Sequence, residues 1–189
     1  MYYAGLRPGE VNRLRETDCE LPETGWGELL LEKSATRAVA RYTDSGTGWE
    51  ERNLKRRPDG ATRPVPIPPA LVAILRWHLD RFGTTPDGRL FRGLKSTEPI
   101  NSSVYTAAWR KVRLVGLSPS QAASPLADEP YALRHAAVST WLAAGVPAVE
   151  VAERAGHSVA VLLKVYAKVL DGQREKSNQR INDLLGEDG

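Results

Sequence analysis

The hydrophobic period of this chain changes at Pro68, and that change limits what each part can fold into. Ahead of it lie short runs of strand length. Gly27-Glu28-Leu29-Leu30-Leu31 sits within residues 25–33, and Arg37-Ala38-Val39-Ala40-Arg41 alternates within Thr36 to Tyr42. Both predict strands. Ala61 to Ile67 resumes an extended pattern, and its prolines at 64 and 66 suit only an edge strand. Between them, residues 43–60 mix Gly, Asp, Asn and Pro with charges, predicting a long loop or an irregular hairpin connection.

Beyond Pro68 the apolar residues recur at helical spacing. Leu71, Leu75, Leu79 and Phe82 mark one face, with Pro69 in the first turn and Gly83 past the end. A helix over 101–113 is capped by Asn101 or Ser102 and runs through Trp109. Residues 116–130, rich in Ser, Pro, Gln and Asp, predict a loop. Helices follow at about 131–144, 148–155, 159–169 and 173–185, with Gly145, Gly156 and Gly172 at the breaks and Ser158 as an N-cap. One short helix also opens the chain, from the turn at Gly5 and Pro8-Gly9 through Glu16, with Leu6, Val11 and Leu14 on one face. The expected class is α+β, mainly α: a small antiparallel sheet packed on a multi-helix body, in one domain over 1–189.

Composition then removes several functions. With 189 residues, 41% hydrophobic and 26% charged, the chain is globular rather than disordered. A single cysteine, Cys19, excludes a disulfide framework and a zinc site built on several thiolates, and points to a reducing compartment. No apolar run reaches transmembrane length, and Met1-Tyr2-Tyr3-Ala4-Gly5 lacks the layout of a secretion signal. A cytoplasmic location is expected. The net charge of +3 permits a polyanionic partner without demanding one.

Chemistry concentrates in the last third. Arg134 and His135 lie on a helix, His157 follows Gly156 at a helix break, and Tyr166 falls on the next helix. Tyr131 and Arg134 are three apart and share a helical face. An arginine, a histidine and a tyrosine that converge can clamp a phosphate and attack it, the guanidinium holding oxygens and the phenolate acting as nucleophile. Leu162, Tyr166 and Val169 equally have the spacing of a buried helix face, which makes Tyr166 a core tyrosine.

Taken jointly, the residues resemble a known pattern. Ala4-Gly5-Leu6-Arg7-Pro8-Gly9-Glu10, with Leu14 and Asp18, resembles the first arginine box of the tyrosine recombinase (phage integrase) family. Tyr131-Ala132-Leu133-Arg134-His135 looks like the second box. Ala144-Gly145-Val146, Ala155-Gly156-His157-Ser158 and Tyr166 look like the segment that ends in the nucleophile. The resemblance runs from Gly5 to about Leu170. It implies a catalytic set of Arg7, Lys55, Tyr131, Arg134, His157 and Tyr166. Lys55 is taken because the family's lysine lies in a hairpin before a strand of the form Arg-x-Val-Pro, here Arg63-Pro64-Val65-Pro66; Lys33 is the rival, one hairpin earlier. Tyr131 stands where the family usually has histidine, and tyrosine is a poor general base at neutral pH. His135 points elsewhere and is expected to be structural. Glu10, one turn from Arg7, either orients that arginine or is an exposed helix carboxylate.

The resemblance further implies DNA recombination or integration in a phage or other mobile element, by transesterification without metal, nucleotide or other cofactor. Tyr166 would expel a 5′-hydroxyl and form a 3′-phosphotyrosyl link. Arg7 and Arg134 would neutralise the phosphorane, His157 would hydrogen-bond it, and Lys55 would protonate the leaving oxygen. Double-stranded DNA is the implied partner, along with further copies of the chain in a synaptic tetramer; bound to DNA, the protein would belong to the bacterial nucleoid. The last helix, with Ile181, Leu184 and Leu185, would dock on its own core or on a neighbouring protomer. Family members normally carry another helix before the first box and, ahead of it, a core-binding domain on the opposite side of the DNA. Both are expected to be missing here, so the chain alone would bind DNA weakly and cleave slowly at best. Two alternatives stay open: a catalytically impaired integrase remnant, and a non-catalytic DNA-binding protein using residues 132–157 as a helix-turn-helix.

Overall fold

The computed structural model describes residues 1–38, 41, 48–55, 57–93, 98–171 and 174–186. They form two compact units, Met1–Ala137 and Val138–Gly189.

In the first unit, helix α1 spans Pro8–Arg13 with Pro8 at its first position, where a missing N–H costs nothing. The helix stops three residues short of the expected Glu16. Arg15 instead bridges to Arg89 in extended geometry, and a 3₁₀ turn follows over Glu16–Asp18. The Asp18 carboxylate accepts the Arg15 N–H at 2.9 Å and so caps the start of this turn, while α1 itself ends at its C-cap, Leu14. Strands β1 (Cys19–Glu20), β2 (Gly27–Leu31) and β5 (Arg63–Ile67) form an antiparallel sheet in the order β1-β2-β5. β5 is thus an edge strand, as its prolines require; Pro64 faces Leu30 and Pro66 faces Glu28 in the register.

Strands β3 (Lys33–Arg37) and β4 (Trp49–Asn53) pair as a separate antiparallel ribbon, from Lys33 opposite Asn53 to Arg37 opposite Trp49. The strand expected over 36–42 therefore begins earlier; Val39, Ala40 and Tyr42 lie outside the described residues, as do Arg56 and Gly172. β4, Trp-Glu-Glu-Arg-Asn, lies within the expected loop. A two-stranded ribbon with solvent on one face needs no apolar alternation, so a polar sequence conceals it. Close approach of α1 to this ribbon depends on Gly9, where a Cβ would sit 3.0 Å from the Ala35 carbonyl oxygen.

The core of this unit collects Leu29, Leu31, Val65 and Ile67 from the sheet with Leu6, Leu14, Leu54 and Leu90, and Val72 and Leu75 from helix α2 (Pro69–Phe82). Each fully buried side chain of this kind contributes about 1.5–3 kcal/mol. Phe82 is exposed and packs edge-on against Trp77. Helix α3 (Ser102–Gly116) is capped as expected, the Asn101 side chain accepting the Ser103 N–H at 3.3 Å. The expected loop at 116–130 contains one helical turn, α4 (Pro119–Ala122). Buried Arg113 holds this segment by donating to the carbonyls of Ser124 at 3.0 Å and Leu126 at 2.8 Å.

Helix α5 (Ala132–Ala143) begins in the first unit and ends in the second, which continues with α6 (Ala148–Ala155), α7 (Val159–Asp171) and α8 (Arg174–Leu185). These follow the expected helices to within a residue or two. Val138 and Leu142 of α5, Val151, Ala152 and Ala155 of α6, and Leu162 and Tyr166 of α7 form the second core. The class is α+β, mainly helical, with a small antiparallel sheet. Among the described residues, no helix is long and apolar enough to cross a membrane.

Candidate active site

Each unit holds part of the expected set. In the first, Arg7 is the extended residue ahead of α1, and Glu10 is the third residue inside it. That spacing turns the Glu10 carboxylate back onto the chain it follows. It accepts the Arg7 backbone N–H at 2.8 Å and the Arg7 Nη1 at 2.9 Å. Glu10 therefore orients Arg7, and only 2% of its side chain is exposed. Its second oxygen also accepts Arg63 Nη2 at 2.8 Å, both side chains being buried. Arg134, buried on α5, donates to the Gly5 carbonyl just ahead of Arg7. One turn of chain, Gly5 to Glu10, is thus bound by guanidinium groups arriving from β5 and α5.

Among the described residues, hydrogen bonds and charge interactions join three guanidiniums to the Glu10 carboxylate. Burial alone would raise the Glu10 carboxyl, but the charges and hydrogen bonds of Arg63 and Arg7 outweigh it and hold the group below its ordinary value. The cations bear the desolvation cost. Burial first, and the neighbouring Arg7 charge second, bring Arg134 down to about 10; burial also lowers Arg63. Buried guanidiniums beside a part-exposed Arg7 make an electropositive environment that favours an anion. A depressed carboxylate contributes stability that is complete above its unfolded-state value and is lost as pH falls through the folded one. Acid unfolding of wild type should show this loss, and Glu10→Leu, which leaves Arg63 buried and unpaired, should cost about 3–5 kcal/mol in a urea titration at neutral pH. A loss below about 1 kcal/mol would mean that the cluster is not electrostatically coupled.

Lys55 lies in the exposed turn two residues beyond β4, after buried Leu54. Its rival Lys33 opens β3 opposite Asn53, so both lysines lie at the same end of the ribbon. Tyr131 is 38% exposed and near enough to Arg134 to act on its charge. The exposed His135 packs edge-on against the Tyr131 ring, with centroids 5.3 Å apart.

In the second unit, α6 ends at Gly156, whose left-handed backbone (φ 63°, ψ 41°) turns the chain sharply. The Gly156 N–H reaches the Glu153 carbonyl at 3.1 Å and the His157 N–H reaches Ala152 at 2.8 Å, the paired bonds of a Schellman ending. Ser158 then starts α7, its Oγ accepting the Val161 N–H at 3.3 Å. His157 is fixed in the two-residue link, its ring stacked toward Tyr166 at 6.4 Å between centroids with planes 29° apart. Gly156→Ala forces a side chain into left-handed geometry and should cost about 1–2 kcal/mol, read as a lower Tm. An unchanged Tm would show that the link adapts without it.

Tyr166 is buried and its ring lies near His157. It is 5% exposed within the core formed with Val138, Leu142 and Leu162, and it faces His157. Its backbone (φ −112°, ψ 19°) leaves helical geometry in the middle of α7. On α8, Ile181, Leu184 and Leu185 are exposed, while Arg180 donates to the Ala144 carbonyl at 3.3 Å. Sequence reasoning passed over Arg63. The signal was its parity: it alternates with Val65 and Ile67 on the buried face of β5, where a charge requires a carboxylate partner.

No family model matches the chain, and no curated protein matches it in sequence. Solved structures do match it. The Tn1549 transposon integrase in complex with transposon right end DNA aligns with a TM-score of 0.69 at 18% identity, over 94% of this chain and 56% of that one. XerA recombinase aligns at 0.60 and 20% identity, over 95% and 54%. XerH site-specific recombinase bound to palindromic difH substrate aligns at 0.62 and 15% identity, over 93% and 42%. This chain thus has the tyrosine recombinase catalytic-domain fold, and it spans about half the length of the solved structures it matches.

Proposed function

We propose that the chain is the catalytic domain of a DNA strand-exchanging recombinase of a mobile element, working through a 3′-phosphotyrosyl intermediate without metal or nucleotide. The observation that carries this reading is the buried arginine cluster organised by Glu10, in a fold shared with integrases and recombinases. Arg7 and Arg134 neutralise the non-bridging oxygens of the scissile phosphate as negative charge develops on them. The Tyr166 oxygen attacks phosphorus, its proton leaves to solvent, and the bond to the 5′-oxygen breaks. His157 hydrogen-bonds the phosphorane. Lys55 gives a proton to the departing 5′-oxygen, and Tyr131 donates a hydrogen bond in place of the usual histidine. Because the phosphotyrosyl bond keeps the phosphodiester's energy, a second 5′-hydroxyl can reverse the step and join a new strand. Further copies of the chain, cutting a partner duplex in the same way, free the 5′-hydroxyls that make this attack.

The burial of Tyr166 favours a second reading, in which an impaired remnant binds duplex DNA without cutting it. A nicked duplex library of random sequence, incubated with the chain in EDTA without ATP, separates the two. An SDS-resistant protein–DNA adduct supports the transesterase; saturable binding with no adduct supports the remnant. Binding itself should be weak. Each phosphate neutralised contributes about −0.9 to the slope of log affinity against log salt. With a net charge of only +3, the slope for this chain should be shallow; a steep one would reveal an extended phosphate-binding face.

A further inference from the structure

Arg63 has a place in this site beyond filling the buried face of β5. Its side chain lies on the buried face of β5 with Val65 and Ile67, where an apolar residue would complete the core without the cost of desolvating a charge. It spends that charge on one atom. Glu10 Oε2 accepts Arg63 Nη2 at 2.8 Å, while Glu10 Oε1 accepts Arg7 Nη1 at 2.9 Å. The carboxylate is therefore a rigid bridge between a buried arginine that meets no solvent and a part-exposed arginine that does.

We propose that Arg63 is a positioning residue: through the carboxylate of Glu10 it holds the Arg7 guanidinium in the orientation that receives the scissile phosphate. This rests on the function proposed above. Without Arg63, the Glu10 carboxylate loses the buried partner that fixes Oε2 and keeps its bonds to Arg7 alone, so the Arg7 guanidinium is held less rigidly. The charges facing Glu10 are Arg7 ahead of α1, Arg63 on β5, Arg134 on α5 and the Met1 amine. Of these, Arg63 contributes most to keeping the carboxyl ionised, so its removal also shifts the titration of Glu10 upward.

The test uses the 189-residue chain without DNA. Order at the Arg7 Nε is measured by ¹⁵N relaxation, and the Glu10 carboxyl is titrated by ¹³C NMR. In wild type the Arg7 order parameter should be near ~0.85; in Arg63→Met it should fall below ~0.6. The Glu10 midpoint should rise in the same variant, and Arg63→Lys, which keeps the charge, should restore much of both. A merely structural Arg63 would lower Tm and leave Arg7 ordered, which overturns the proposal. Should Arg63→Met not fold, Glu10→Gln decides: it keeps the shape of the bridge without its charge, and an Arg7 that stays ordered in it is again fatal. Inorganic phosphate added to the wild-type chain tests the functional reading separately. Saturable shifts at the Arg7 resonance support that reading; an unresponsive Arg7 counts against it, while the relaxation result still decides the role of Arg63.

Discussion

Tyr166→Phe is expected to eliminate the covalent protein–DNA adduct. The substitution removes one oxygen and leaves the ring, which fills the core beside Val138, Leu142 and Leu162, in place. Stability should therefore change by only about 1 kcal/mol, the net worth of one hydrogen bond. The two measurements together separate the readings of this residue. Loss of adduct at nearly unchanged Tm identifies a nucleophile that is also packed. Loss of several kcal/mol, or an adduct that persists in Tyr166→Phe, places Tyr166 in the core alone and moves the chemistry elsewhere.

Arg7→Lys and Arg134→Lys should each lower the rate of adduct formation by about 10²–10³-fold, the scale of losing one group that stabilises developing charge. Lysine retains the positive charge but not the planar fork that binds two oxygens at once. At Arg134 the loss is compounded, because the guanidinium also donates to the Gly5 carbonyl and so fixes the turn leading to Arg7. DNA affinity should fall far less, since most of it comes from other phosphate contacts. Equal losses of affinity and rate would show that these arginines only anchor the duplex.

Where burial is one-sided, the sequence was readable. Helices α2, α5, α6 and α7 carry apolar faces at 3.6 spacing with Gly83, Gly145 and Gly156 at their ends, and they form where that pattern places them. β5 was legible as an edge because proline cannot serve a central ladder. β4 was not, since a polar ribbon strand leaves no hydrophobic signature; nor was the early end of α1, where the backbone leaves helical geometry at Leu14 and Arg15. In the site, motif spacing picked out Arg7 and Arg134, which the first unit brings together, and His157 and Tyr166, whose rings meet in the second. Glu10 had two possible environments, and only tertiary packing with Arg63 selected the buried one. Lys55 sits in an exposed turn, where a charged side chain leaves no burial signal in the sequence.

The most direct test is to identify the atom that carries DNA. After trapping on a nicked duplex in EDTA and digestion with trypsin and nuclease, mass spectrometry should find the peptide Val165-Tyr166-Ala167-Lys168 bearing a nucleotide through its 3′-phosphate on Tyr166. A nucleotide joined through its 5′-phosphate, attachment to any other residue, or saturated DNA binding that yields no modified peptide would contradict the proposed chemistry.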